Sequence, residues 1–335
     1  MRRLRVLTWH MHGNYLLYLS RARVDFYLPV RPGGGDGYGG RGTTFPFGPN
    51  VHEVPIESVR DLEVDVVLYQ ARSNYEVGRH EILSAAQRRL PRIYLEHDPP
   101  LQNPTDQKHW FDDPDGLLVH VTPFNALMWN SGRTPTRVIE HGVMVPEHVR
   151  YTGEIPRGIT AINHLRARGR RLGADIFERC RREVPLDLVG MDAGSLGGLG
   201  EIAPPELPAF EARYRFFFNP IRWTSLGLAV IEAMTIGMPI VGLATTEMAT
   251  AIDDGVSGFV DTDPARLIEV MRRLIEDPVE AHRLGQNARS RALERFHIER
   301  FVRDWEETFA QIAGRSLSGS ARAAPGLAYS RGISG

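Results

Sequence analysis

Apolar residues along this chain fall into two rhythms. Short unbroken runs bounded by turn residues mark buried strands, and recurrences every three to four positions mark amphipathic helices. In the first half, LRVLTW (4–9), FYLPV (26–30), DVVLYQ (65–70), RIYLEH (92–97), LLVHVT (117–122) and TRVIEHG (136–142) read as strands. Helical patterns lie at about 14–22 and 75–90. In the second half, GITAINHL (158–165), LDLVG (186–190), RFFFNP (215–220), PIVGLA (239–244) and GFVDTD (258–263) predict strands. Helices are predicted at 170–183, 206–213, 226–236, 264–276 and 279–294, with a last one through HIERFVRDWEETFAQIAG. Such alternation predicts α/β architecture, with parallel sheets and helical crossovers. The segment RPGGGDGYGGRGTTFPFGPN (31–50) holds too much glycine and proline for either element and is predicted to be a mobile loop.

A chain of 335 residues is long for one core, so two domains are expected. The pattern divides near 145, into 1–145 and 146–296, followed by the last helix over 297–313. From Arg315 onward the Ser, Gly, Ala and Arg content predicts a disordered tail, 315–335.

Composition narrows the chemistry. A net charge of −1 gives no electrostatic case for nucleic acid. Lys108 is the only lysine among 40 basic residues, so an anion site here must use arginine, histidine or backbone N–H groups. Cys180 is the only cysteine, which excludes an intrachain disulfide and a Cys-rich zinc site, and suits a cytoplasmic protein. The apolar run near the N-terminus is broken by His10, His12, Gly13 and Asn14 and reads poorly as a signal peptide. No run approaches the ~20 apolar residues of a membrane span. The basic stretch AQRRLPR (86–92) leaves open a peripheral contact with the inner face of an anionic membrane.

Three places carry candidate chemistry. The first is NPIRWTSLGLAVIEAMTIGMPIVG (219–242), where a strand turns into a helix. The turn aims the amides of Ser225, Leu226, Gly227 and Leu228 outward at a helix N-terminus, a natural seat for phosphate. Glu232 is a lone carboxylate in an apolar helix, placed to accept two hydrogen bonds from vicinal sugar hydroxyls; the plainer alternative is a surface residue or an arginine partner. The second is NHLRARGRRLGAD (163–175), where arginines crowd a helix start that an anion would rationalise. The third is the strand end LEHDPP (95–100), with His97 and Asp98, since ligands in α/β domains bind beyond strand C-termini. No Asp/Glu/Cys cluster accompanies His10 and His12, so no metal site is expected.

The 219–242 stretch, together with DDGVSGFV (253–260), resembles the donor site of retaining GT-B glycosyltransferases of the family-4 type. Pro220, Gly227, Leu228, Glu232, Ala233, Met234, Gly237, Pro239, Val241, Gly255, Gly258, Phe259 and Val260 match the family pattern over about 45 residues. The resemblance implies a GT-B fold of two Rossmann-like domains facing a cleft, with the last helix crossing back to the N-terminal domain. It implies a nucleotide-diphosphate sugar as co-substrate, no cofactor or metal, and a glycan, lipid-linked or small-molecule acceptor. Glu232 would hold the ribose, Arg168 and Arg171 the diphosphate, and Asn163 or Arg166 would stand at a second arginine position. Gly13 would face the donor phosphate and His97 the transferred sugar. His10, His12, Asn14 and Asp98 would lie on the acceptor side, beside the glycine-rich loop. Two departures stand out. The family pairs glutamates eight positions apart, and the first is here Thr224; the usual Gly-Gly-x-P-E segment is replaced by TTEMATA (245–251). These departures keep two other readings open, a catalytically degenerate binding module and a GT-B sugar-nucleotide epimerase.

Overall fold

The computed structural model of the protein describes residues 2–317. Two wholly parallel sheets organise them. The first contains β1 (Arg5–Thr8), β2 (Asp25–Val30), β3 (Val51–Pro55), β4 (Val66–Tyr69), β5 (Arg92–Glu96), β6 (Leu117–His120) and β7 (Thr136–Val138), in the order β3-β2-β1-β4-β5-β6-β7. The second contains β8 (Ile155–Ala161), β9 (Leu186–Val189), β10 (Tyr214–Asn219), β11 (Ile240–Leu243) and β12 (Gly258–Asp261), in the order β12-β11-β10-β8-β9. The strand runs are apolar because both faces are covered; every residue of β4, β6, β10 and β11 is buried.

Most predicted elements stand where the periodicity puts them. The helix Leu228–Ile236 ends at Gly237, whose φ of 101° suits glycine at a C-terminus. Asp263 and Asp277 cap the helices Pro264–Glu276 and Pro278–Arg295, each with proline in the first turn. Other elements differ. β3, an edge strand with three polar or proline positions in five, carries no apolar run. The pattern at 75–90 is not one helix but a π-turn (Asn74–Gly78), a short helix (Arg79–Ile82) and a 3₁₀ turn (Gln87–Arg89). Ser84 and Gln87 form a reciprocal capping box there, each side chain taking the other's backbone N–H at 3.2 and 2.9 Å, and buried Gln87 also donates to the Val59 and Leu62 carbonyls. The helix predicted from 170 begins at Ala174, because Gly173 sits at φ 82° with its missing Cβ facing the Pro220 carbonyl.

The last helix, Ile298–Leu317, returns to the first domain as expected. Trp305 donates to the Tyr15 hydroxyl at 3.0 Å, Phe309 packs on Phe26, and Arg137 reaches Thr308 and Gln311. This helix takes in the first residues of the predicted tail, and the rest of that tail lies outside the described residues. The chain crosses between domains twice, and the crossings touch: Val143 bridges His297, and Gly142 packs against Phe301. The glycine-rich segment is a loop, but a packed one. Tyr38 is buried, His10 N–H donates to the Gly37 carbonyl, and Arg41 donates to the Phe47 and Val51 carbonyls.

Candidate active site

The C-terminal ends of the two sheets face one another across a cleft. From the first domain come the start of the helix Gly13–Leu19 and the turn after β5. His12 and His97 pack with ring centroids 4.1 Å apart and planes tilted by 50°, and Tyr15 meets His97 edge-on at 4.8 Å. Tyr15, held by Trp305, also meets His141 at 5.5 Å. Burial drives the His97 pKa well below its ordinary value, with His12 and His141 adding to the effect, and burial holds His141 at about 4. His12 is open to the cleft; the protein around it and Arg168 lower its pKa, and Asp98 pulls it up.

The turn carrying His97 and Asp98 is built from behind. Glu96 is buried, takes the Asp98 N–H on Oε1 at 2.8 Å and the His109 Nε2–H on Oε2 at 3.0 Å. His109 Nδ1 accepts the Phe111 N–H, so its proton is on Nε2 and the ring is neutral; burial lowers its pKa to about 3. Burial raises Glu96 to about 8, against the two backbone N–H groups that favour its charge. Trp129 Nε1–H closes the turn on the Asp98 carbonyl at 2.8 Å.

From the second domain come the turn between β10 and its helix, and the arginine segment. The amides of Ser225, Leu226, Gly227 and Leu228 donate to no group among the described residues, and Gly227 caps the helix with extended backbone. Arg168 and Arg171 lie together, each guanidinium without an ion pair among the described residues; Arg171 Nη1 is buried and unpartnered. Burial lowers the Arg168 pKa, Arg171 lowers it further, and Asp98 across the cleft raises it. The Arg171 carbonyl takes the Arg222 and Trp223 N–H groups, which ties the arginine segment to the turn that carries the free amides. Two unpaired cations on a segment joined to that turn make a place where an anion is favoured.

Glu232 is buried, as the apolar helix requires, and neither expected alternative holds. It is no surface residue, and its partner is no arginine: the Tyr18 hydroxyl of the first domain donates to it at 2.5 Å. Burial raises the Glu232 pKa and the Tyr18 hydrogen bond lowers it. Thr224 is half-buried, and its hydroxyl makes no hydrogen bond among the described residues. Its neighbour Trp223 spans the cleft, donating to the Pro100 carbonyl at 2.9 Å and packing on Phe124.

The remaining sequence candidates occupy several settings. His10 faces the glycine-rich loop, bonded through Nδ1 to the Gly40 carbonyl at 2.6 Å and packed on Phe45 and Phe47. Asn163 uses Oδ1 to hold the Met191 N–H at 2.8 Å and so shapes the turn after β9. Arg166 lines a separate groove of about 380 Å³ with Glu178, Arg181 and Arg182. Asn14 is half-buried, and its side chain makes no hydrogen bond among the described residues. At Gly13 a Cβ would lie 1.9 Å from the Phe45 ring, so a larger residue there must displace that ring. Sequence reasoning missed Tyr18, Gln70 and His141. The signal for His141 was its place after a strand, in EHG, parallel to that of His97; nothing local marked the other two.

Comparison with known proteins bears on the second domain. Residues 198–291 match the family model for glycosyl transferases group 1. The match begins after β9 and takes in β10, the Glu232 helix, β11 and β12. The chain is similar to D-inositol 3-phosphate glycosyltransferase 1 of Catenulispora acidiphila, 40% identical over 76 residues. That alignment covers 22% of this chain and 18% of the relative, so the chain spans less than a fifth of that curated protein's length. Solved structures match almost the whole chain. Sucrose-phosphate synthase of Thermosynechococcus elongatus aligns with a TM-score of 0.70 at 15% identity, covering 93% of this chain and all of the other. HepE of Anabaena, in complex with UDP and glucose, aligns with a TM-score of 0.65 at 14% identity over 92% of this chain and all of the other. The fold is GT-B, with the group 1 match forming most of the second half.

Among the described residues no helix is long and apolar enough to cross a membrane, and no group of three or more His, Cys, Asp or Glu is arranged to hold a metal.

Proposed function

We propose that the protein is a glycosyltransferase that moves a sugar from a nucleotide diphosphate donor to a hydroxyl-bearing acceptor with retention of configuration. The observation that carries this is two unpartnered guanidiniums, Arg168 and Arg171, on a segment bonded through the Arg171 carbonyl to the turn whose free amides start the Glu232 helix. The group 1 match over this region supports the reading, as does the likeness to HepE, which was solved with UDP and glucose. The diphosphate lies on Arg168, Arg171 and the 225–228 amides, which stabilise the charge that grows as the glycosidic bond breaks. The ribose exchanges its hydroxyls for that of Tyr18 on Glu232. The acceptor enters from the first domain, past His12, Asp98 and the glycine-rich loop, and attacks the face the nucleotide leaves. No resident cofactor or metal takes part, and the chemistry is cytoplasmic, where nucleotide sugars are made.

Thr224 favours a second reading, a module that binds a nucleotide sugar without turnover, because a neutral hydroxyl stands where the family has a carboxylate. Calorimetry with UDP-, GDP-, ADP- and dTDP-glucose, followed by transfer assays with the tightest binder, tests both. One donor should bind, and Glu232→Ala should weaken it at least tenfold, the cost of about 1.4 kcal/mol. Unchanged affinity in that variant would sink the assignment of Glu232. Binding without transfer or hydrolysis for any acceptor offered would favour the module.

A further inference from the structure

Gln70 follows β4, is buried, and uses both ends of its amide. Its Nε2 donates to Thr8 Oγ1 and to the Trp9 carbonyl, each at 3.0 Å. Its Oε1 faces His97 Nε2 at 3.2 Å. The two ends are not interchangeable. A backbone carbonyl only accepts, so the amide nitrogen must face Trp9; flipping the side chain would set two oxygens 3.0 Å apart. Oε1 therefore faces His97, and since it too only accepts, the imidazole must carry its proton on Nε2. A neutral ring has one such proton, which leaves Nδ1 a bare lone pair. Nδ1 makes no hydrogen bond among the described residues, and the ring lies in the cleft between His12 and Tyr15, with His141 and Asp98 close by.

We propose that Gln70 is a positioning residue that locks His97 as the Nε2–H tautomer, so that His97 Nδ1 accepts a hydrogen bond from a hydroxyl of the transferred sugar. The lock stands on the geometry alone; the sugar hydroxyl rests on the glycosyltransferase reading. The chain of support runs from two strands to the reacting group. The ends of β1 supply Thr8 and Trp9, these orient Gln70 at the end of β4, and Gln70 orients His97 at the end of β5. The lock also makes the site directional. A donor sugar must offer O–H toward His97, and an analogue with fluorine at that position loses as much as one with hydrogen, because neither can donate.

Long-range proton–nitrogen spectra of the whole chain test this, with the His97 signals identified by their loss in His97→Gln. The wild-type protein should show Nε2 protonated and Nδ1 bare. Gln70→Met, which keeps the shape and removes the acceptor, should scatter the ring between tautomers. Gln70→Leu, which also removes the acceptor, should scatter the ring in the same way. In calorimetry with the four nucleotide glucoses, Gln70→Met should weaken the bound donor about tenfold, the scale of one hydrogen bond, while the sugar-free nucleoside diphosphate binds within about twofold of wild type. A wild-type ring protonated on Nδ1 overturns the proposal before any variant is made. So does a Gln70→Met protein that keeps the Nε2–H tautomer. If no donor binds the wild-type chain, the glycosyltransferase reading fails, and the spectra still decide the lock.

Discussion

At the scale of single residues, the Tyr18–Glu232 hydrogen bond means that a nucleotide does not meet an idle carboxylate. A ribose hydroxyl must replace the phenol, so the net affinity is the new bond less the old one. Tyr18→Phe should therefore tighten nucleotide binding several-fold in calorimetry. The same change should lower the stability of the nucleotide-free protein by about 1–2 kcal/mol in urea, since a buried Glu loses its hydroxyl partner. Looser binding in Tyr18→Phe would mean that Tyr18 is itself part of the ribose site. Residues announced by local pattern were legible in this cleft. Glu232 broke an apolar helix, the arginines crowded a helix start, and His97 ended a strand. Tyr18 was not legible, because its partner lies 214 positions away and its own helix gives it an ordinary core spacing. Gln70 was hidden for the same reason: its three partners sit on the ends of other strands.

At the scale of elements, Arg295 ends the helix Pro278–Arg295 between two carboxylates. Its Nη2 reaches Glu140 and Glu247, each at 2.5 Å, and Glu247, almost fully buried, also accepts the Phe124 N–H at 3.0 Å. One arginine thus ties the helix to the interdomain segment and, through Glu247, to the helix Pro123–Met128. Removing it leaves a buried carboxylate unpaired, and Arg295→Ala should cost about 3 kcal/mol in a urea titration. A loss under about 0.5 kcal/mol would reduce the cluster to the worth of a surface pair. Elements with a long periodic signal were placed well from sequence, above all the helices starting at Pro264 and Pro278. The failures share a cause. β3 and the six-residue helix Pro123–Met128 are too short or too polar for periodicity, and the broken 75–90 region hid a capping box, Ser84 and Gln87, inside an otherwise helical pattern.

For the whole molecule, the buried histidines set the response to acid. Burial lowers His97, His109, His120 and His141, the last three to about 3, 3 and 4. Unfolded, each takes a proton near pH 6.5, so their stabilisation is full above that pH and is lost as pH falls toward the native values. Glu96 acts in the opposite sense. Its native carboxyl keeps its proton to about pH 8, while the unfolded one loses it near 4.5, so stability declines as pH rises across that window. Buried Glu211, raised well above its ordinary value, and Glu232, raised as well, act in the same sense as Glu96. Four histidines still outnumber three carboxyls in mild acid, so the urea midpoint should climb from pH 5 to a maximum between about 6 and 6.5, then fall toward 8. A flat profile from pH 5 to 6.5 would contradict the buried, neutral state of the histidines. The two-domain plan and the returning helix were readable from sequence because each half carries its own strand–helix alternation; which residues meet across the cleft was not, since no local pattern encodes it. The place where the chain crosses adds one consequence. With Val143 lying on His297, both passages between domains share a single line, and two bodies joined along a line keep rotation about it as their easiest relative motion. A turn about that line would part Trp223 from the Pro100 carbonyl while leaving Val143 on His297, so the hydrogen bond at the far edge of the cleft is the one such a motion must break.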